Sequence, residues 1–167
     1  MQAKKGASEM RPYEVFASRF GAQVAFNSQF ILEKNQRFYL LNPRLKKVGQ
    51  ADFFYAGLYL GKLGKNGGFF PSFNLLNMLV DVAANKVVLN RRAAWLFICG
   101  RDIFGSGIVK VMGSKHKGDA VLVLNEFGEC LGFGTIMDLI NASESTVAVK
   151  NVLDVGDFLR RETVEKF

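Results

Sequence analysis

Residues 118–135 read GDAVLVLNEFGECLGFGT, and their order decides the fold class. Ala120 to Leu124 is a continuous apolar run, too short for an ordinary helix and bounded by turn residues, which predicts a strand. Asn125-Glu126-Phe127-Gly128-Glu129 suits a hairpin connection, and Cys130 to Met137 is the returning strand. Downstream, Val147 to Val152 predicts one more strand. Asp154 to Arg161 predicts a closing helix, with Asp154 as its cap and Asp157 three residues on. Upstream, Gly113 to Gly118 is a basic turn, Ile108 to Met112 alternates as a strand, and Gly100 to Gly107 is a glycine-punctuated loop. Ala93 to Cys99 is apolar on all sides and is expected to be a buried helix. Val87-Val88-Leu89 is a short strand after an Asn85-Lys86 turn. Several short strands joined by glycine turns suggest a small barrel.

The first half has a different texture. Residues 1–10 are expected to form a loose tail. Arg11 to Phe20 carries Val15, Phe16 and Phe20 at helical spacing, and Gly21 stops it. Phe30-Ile31-Leu32 and Phe38-Tyr39-Leu40-Leu41 predict strands of a hairpin around Glu33–Arg37. Asn42-Pro43 predicts a short helix, with Asn as cap and Pro at the first helical position. Phe53 to Leu63 is strand-like, Gly64 to Gly68 a loop, and Pro71 to Ala84 a helix with Leu75, Leu76, Leu79 and Val82 facing inward.

The chain has 167 residues, of which 49% are hydrophobic and 22% charged, with three prolines. That is a globular composition, and a chain of this length buries roughly 70% of its unfolded surface without a staple. No apolar h-region follows the N-terminal lysines, so no secretory signal is expected, and a cytoplasmic protein is. No apolar run approaches the ~20 residues of a membrane span. The two cysteines, Cys99 and Cys130, sit in apolar stretches and are expected to be reduced and buried.

The net charge of +7 is unevenly placed. Met1 to Arg92 holds 14 Lys+Arg against 5 Asp+Glu, and Asp119 to Phe167 holds 4 against 9. Such an excess admits two readings: a polyanionic partner, held through release of counterions from phosphates, or a merely solvated basic surface. Catalytic patterns are missing. The one histidine, His116, lies in the exposed turn Ser114-Lys115-His116-Lys117-Gly118, with no orienting carboxylate evident. No CxxC, HxxxH or Asp-rich loop offers metal ligands, so neither metal nor cofactor is expected. Gly61 to Gly68 lacks the order of a phosphate-wrapping loop, and Gly132-Phe133-Gly134 is not followed by a helix. What remains is binding. Arg91, Arg92, Arg101, Lys110, Lys115 and Lys117 flank the glycine-rich segment, where a sugar-phosphate backbone could approach the main chain.

Taken together, Lys86 to Leu89, the helix from Ala93, Gly100-Arg101-Asp102-Ile103-Phe104-Gly105-Ser106-Gly107-Ile108, the hairpin after Gly118 and the closing string from Asp154 resemble a PUA domain. With the preceding segment, including Tyr55 to Lys62, the chain resembles PUA-domain ribosome-biogenesis factors of the nuclear-import-protein-seven family, archaeal members above all. That resemblance implies an α+β protein. Residues 11–85 would form an N-terminal α/β domain with an antiparallel sheet, and residues 86–165 a PUA pseudo-β-barrel. It implies a monomeric, non-enzymatic RNA binder that contacts pre-rRNA and other assembly factors during large-subunit maturation. Lys150 matches a basic position of the last strand. Family cations just before it and before Asp154 are replaced here by Thr146, Val147 and Leu153, which shifts the expected RNA contacts toward Arg91, Arg92, Arg101, Lys110, Lys115, His116, Lys117 and the basic N-terminal part. Two other roles stay open: a protein-interaction adaptor, and the RNA-targeting subunit of an RNA-modifying enzyme.

Overall fold

A computed structural model describes residues 10–24, 26–48, 56–141, 143, 146–157 and 160. The tail at 1–9 and the start of the strand expected from Phe53 lie outside the described residues. The elements with both ends among the described residues are, in chain order, α1 (Pro12–Ser18), β1 (Ile31–Lys34), β2 (Arg37–Leu40), α2 (Pro43–Val48), β3 (Leu58–Leu63), β4 (Phe69–Pro71), α3 (Phe73–Leu79), β5 (Lys86–Leu89), α4 (Arg91–Ile98), β6 (Ile103–Phe104), β7 (Ile108–Met112), β8 (Ala120–Leu124), β9 (Cys130–Ile136) and β10 (Val147–Asp154). The fold is α+β, as expected.

The first sheet has four antiparallel strands in the order β1-β2-β3-β4. Its hairpin closes through Asn35 and Gln36, both at positive φ (51° and 60°). That two-residue turn matches the twist of the flanking strands. The Asn42 cap is present, its Oδ1 accepting from the Leu45 N–H at 2.8 Å. The third helix is shorter than the sequence suggested. Pro71 belongs to β4, Ser72 caps α3 by accepting from the Leu75 N–H, and the helix ends at Leu79. Leu75, Leu76 and Leu79 are buried, but Val82 lies beyond the helix and is half exposed.

The second sheet has six strands in the order β6-β10-β9-β8-β5-β7 and curls into a half-barrel. Only β5 and β8 pair in parallel. Central β8 explains the apolar run that opened the reading. Alternate residues of a strand face opposite ways. Ala120 and Leu122 enter a core formed with Tyr13, Phe16, Phe20, Phe38, Leu60 and the α3 leucines. Val121 and Val123 enter a second core with Val87, Leu89, Phe97, Ile103, Ile136 and Val149. One strand is thus the wall between two cores, and all five of its residues are buried. Phe133 of β9 joins the first core, its ring edge-to-face with Phe16 at 5.5 Å and Phe20 at 5.6 Å.

The last strand ends differently from expectation. Asp154 is the final residue of β10 rather than a helix cap, while Gly156, Asp157 and Arg160 beyond it are helical, as expected. The buried Asp154 Oδ2 accepts from Arg160 Nη2 at 2.7 Å and from Asn151 Nδ2 at 3.1 Å. The cysteine expectation holds for only one residue. Both are free thiols, but Cys99 is exposed and Cys130 is partly buried. Burial pushes the Cys130 thiol up to about 11, against a small opposing effect of the Gly132 carbonyl. At pH 8 Cys130 therefore stays protonated and unreactive. A maleimide-type reagent is expected to label Cys99 within minutes and leave Cys130 unlabelled until the chain is denatured. Peptide mass mapping checks this; equal labelling of both would refute it.

Candidate nucleic-acid interface

The site begins with how α4 is held. Asn90 caps the helix, its Oδ1 accepting from the Ala93 N–H at 2.9 Å, while its Nδ2 donates to the Ser106 carbonyl at 3.2 Å. One side chain thus fastens the helix start to the glycine-rich loop. At the other end, Asn151 Nδ2 donates to the Phe97 carbonyl at 2.9 Å and Arg160 Nη1 to the Ile98 carbonyl at 2.7 Å. These bonds satisfy last-turn carbonyls that a helix leaves without internal partners. Hydrogen bonding to Asp154 is the main cause that raises the Arg160 pKa, so this guanidinium stays charged. The loop packs tightly on the helix: a Cβ at Gly107 would meet the Ala93 Cβ at 2.5 Å.

Here the sequence expectation fails most clearly. Ala93 to Cys99 is not a buried helix. Phe97 is its one fully buried side chain, while Trp95 is 65% and Leu96 43% exposed. A helix turns about 100° per residue, so Trp95 sits about 200° round from Phe97. Eight residues resting on a half-barrel cover one stripe only. Arg92, Trp95 and Leu96 share the free flank, at i, i+3 and i+4. Beside it, Asn90, Arg92, Leu96, Asp102, Phe104 and Ser106 line a cleft of about 450 Å³. Phe104 is 40% exposed, and the loop expected at Gly100–Gly107 contains strand β6 and a 3₁₀ turn at Gly105–Gly107.

The basic turn is also anchored. Ser114 N–H donates to the Asn85 Oδ1 at 2.9 Å, and Asn85 Nδ2 donates to the Ala120 carbonyl at 3.3 Å. Ser114 Oγ bonds the Asp119 carboxylate and accepts from the His116 N–H at 3.1 Å. Gly113, at φ +78°, lies where a Cβ would meet the Ala84 carbonyl oxygen at 2.5 Å, so only glycine fits. Lys115, His116 and Lys117 are exposed and line a groove with Met137, Asp138, Ile140, Thr146 and Val147. Asp138 tempers this charge. Its carboxyl is held below the usual range, first by the Asn141 N–H and least by Lys117.

The two basic segments meet across one rung. Phe104 of β6 lies opposite Val147 of β10; Phe104 lines the cleft and Val147 the groove. Arg92 and the Lys115–Lys117 turn therefore flank one surface. The other candidates lie apart. Arg91 lines a different pocket, of about 540 Å³, with Asn125, Glu126 and Phe127. Lys110 is on edge strand β7 opposite Val88, and Lys150 on β10 opposite Thr135. Arg101 is exposed beyond the C-terminal end of α4. Trp95, Phe104 and Ile140 were not anticipated. The signal for Trp95 was present: with Asn90 as cap, Ala93, Ala94 and Phe97 define one stripe, and Trp95 falls outside it.

Among the described residues no cluster of His, Cys, Asp or Glu could hold a metal ion, and no helix is long and apolar enough to cross a membrane. Comparison with known proteins gives the surface its context. Residues 85–163 match the UPF0113 PUA domain family. A UPF0113 protein of Archaeoglobus fulgidus is 33% identical over 134 residues, covering 78% of this chain and 75% of its own. A protein of Danio rerio named as a 60S ribosome subunit biogenesis protein NIP7 homolog is 25% identical over 136 residues, covering 77% of this chain and 76% of its own. The structure of a conserved PUA domain protein from Thermoplasma acidophilum superposes with a TM-score of 0.59 at 22% identity, covering 89% of this chain and 90% of that one. The chain belongs to the UPF0113 family of PUA-domain proteins.

Proposed function

We propose that this protein is an RNA-binding factor of ribosome assembly, contacting precursor rRNA of the large subunit together with other assembly factors. It acts as a cytoplasmic monomer without a reactive centre. Residues 86–165 form its PUA RNA-binding domain and residues 11–85 a pre-PUA domain. The observation that carries this reading is the α4 flank. Arg92, Leu96 and Phe104 line an open cleft, and the exposed Trp95 lies beside them. Arg91 and Arg92 occupy the first turn of α4 with no acid there. Cations at a helix N-terminus cost roughly 0.3–1 kcal/mol each, a cost that a bound phosphate would reverse. RNA bases that are unpaired are read by stacking on aromatic or guanidinium planes, and both are present. Lys115, His116 and Lys117, across the Phe104–Val147 rung, supply phosphate contacts, with Arg101, Lys110 and Lys150 further out. The names of the NIP7 relatives support the assignment to large-subunit biogenesis.

Trp95→Ala is expected to weaken binding of single-stranded RNA by about 1–3 kcal/mol, roughly 5- to 150-fold, with little change in stability because the side chain is exposed. Anisotropy titration with labelled RNA measures it; unchanged affinity would remove α4 from the interface. The same apolar flank favours a second reading, an adaptor that docks another protein through Trp95, Leu96 and Phe104. Salt separates the two, since phosphate contacts make affinity fall steeply between 50 and 200 mM salt, roughly 10³-fold or more for six contacts, and apolar docking does not.

A further inference from the structure

We propose that the exposed end of the first sheet carrying Arg37, Lys62 and Lys65 is a second RNA-backbone contact, separate from the α4 cleft. It rests on the reading of the protein as an RNA binder. The strand register creates it. Lys34 lies opposite Arg37, Arg37 opposite Lys62, and Lys62 opposite Phe70. Directly opposed residues of an antiparallel sheet share a face. One rung across all four strands therefore reads Lys-Arg-Lys-Phe. Strands lie about 4.8 Å apart, so the three cationic positions span about 10 Å.

At this end of the sheet the opposite face is the core side. Phe38, next to Arg37, packs edge-to-face on Tyr13 at 5.6 Å, and α1 and α3 supply the rest of that core. Glu33, the nearest acid along the strand, lies opposite Phe38 and so points to the other face, where it is exposed at the sheet edge. There it contributes to raising the Tyr13 pKa, behind burial and Glu14. The acid is thus kept off the cationic rung. Arg37 and Lys62 are exposed, and no described carboxylate forms an ion pair with either. Like charges placed directly opposite are destabilising, so the Arg37–Lys62 pair carries an electrostatic cost.

Both loops at this end add to the surface. The Leu63 N–H donates to the Gln36 carbonyl at 2.8 Å, and the Gly64 N–H to the Gly68 carbonyl at 2.8 Å. These bonds close the turn that presents exposed Lys65 beside the rung. Phe70 is 54% exposed, and its ring rests on Gly64, where a Cβ would meet the ring at 2.5 Å. Gly68 faces open space and has no left-handed φ, so the fold does not itself require glycine there. Cations at strand spacing, ending in a half-exposed ring on a glycine turn, are what phosphates followed by an unpaired base would use. An acidic polypeptide would use the cations and leave the ring idle.

The test uses the full chain and labelled single-stranded RNA titrated over a range of salt concentrations. Arg37→Gln with Lys62→Gln removes two contacts without adding repulsion. The slope of log affinity against log salt is expected to fall in magnitude by about 1.4, with the thermal midpoint equal to or slightly above that of the unchanged chain. Trp95→Ala is expected to weaken binding and leave the slope intact. Loss in Trp95→Ala together with an unchanged slope and affinity in the double variant would overturn this surface while the RNA-binding reading stands. Binding of polyglutamate that depends on Arg37 and Lys62, with RNA binding that does not, would also overturn it in favour of an acidic protein partner. A wild-type protein that binds no RNA at low salt would overturn both.

Discussion

Phe133→Ala is expected to lower the unfolding free energy by about 3–5 kcal/mol, the usual cost of removing a buried phenylalanine. Phe133 is 5% exposed and stands on β9, yet its ring packs against Phe16 within α1 and Phe20 just beyond it. Truncation removes contacts from both rings at once. The cavity forms where the half-barrel meets the rest of the fold, so neither side can close it alone. Domains of this size have about 5–15 kcal/mol in total, so at the low end of that range the loss would consume nearly all of it. A drop of about 10 °C in thermal midpoint follows, at roughly 2–4 °C per kcal/mol. Circular dichroism on heating measures it, and Phe133→Leu should recover part of the loss. A shift of under 2 °C would mean that the two sheets do not depend on this ring.

Gly132→Ala is expected to cost at least about 3 kcal/mol, from overpacking and backbone strain together. Gly132 has φ +147°, and a Cβ there would sit 1.9 Å from the Leu153 carbonyl oxygen and 2.8 Å from the Asp154 Cα. Both are backbone atoms of the neighbouring strand, so no side chain can move aside. The pairing of β9 with β10 must open at the Asp154–Gly132 rung. Asp154 holds Arg160, and Arg160 and Asn151 hold the last carbonyls of α4. Faster hydrogen exchange at the end of α4 should therefore accompany the lower midpoint. Wild-type exchange at that helix end, in a destabilised variant, would show that the clamp is not needed.

The legible parts of this molecule were those where local chemistry and burial agree. Asn42-Pro43 and the Glu33–Arg37 connection carry their own turn and cap chemistry; the cap formed as expected, and the hairpin formed with a tighter turn, Asn35-Gln36 alone, leaving Glu33, Lys34 and Arg37 in the strands. The apolar run at Ala120–Leu124 was legible as a strand. That it divides two cores was not, because this depends on what lies on each side of it. The α4 error has a physical cause. An apolar helix in sequence does not say how much surface the rest of the fold can offer it, and a half-barrel of six strands offers one stripe. Val82 was misplaced because α3 ends at Leu79, a tertiary boundary with no glycine or proline signal in the sequence. Of the site, the cations were visible and their grouping was not. Arg92 and Lys115–Lys117 meet only through the Phe104–Val147 rung, 43 positions apart along the chain.

The exposure of Trp95 has a practical corollary, because it is the chain's single tryptophan. Excited at the red edge, where the tyrosines do not absorb, its indole fluorescence is a built-in optical reporter. Occupancy of the α4 flank by a stacked nucleobase should quench that emission, while a ligand confined to the four-stranded sheet should leave it unchanged, so an unlabelled titration can tell the two surfaces apart.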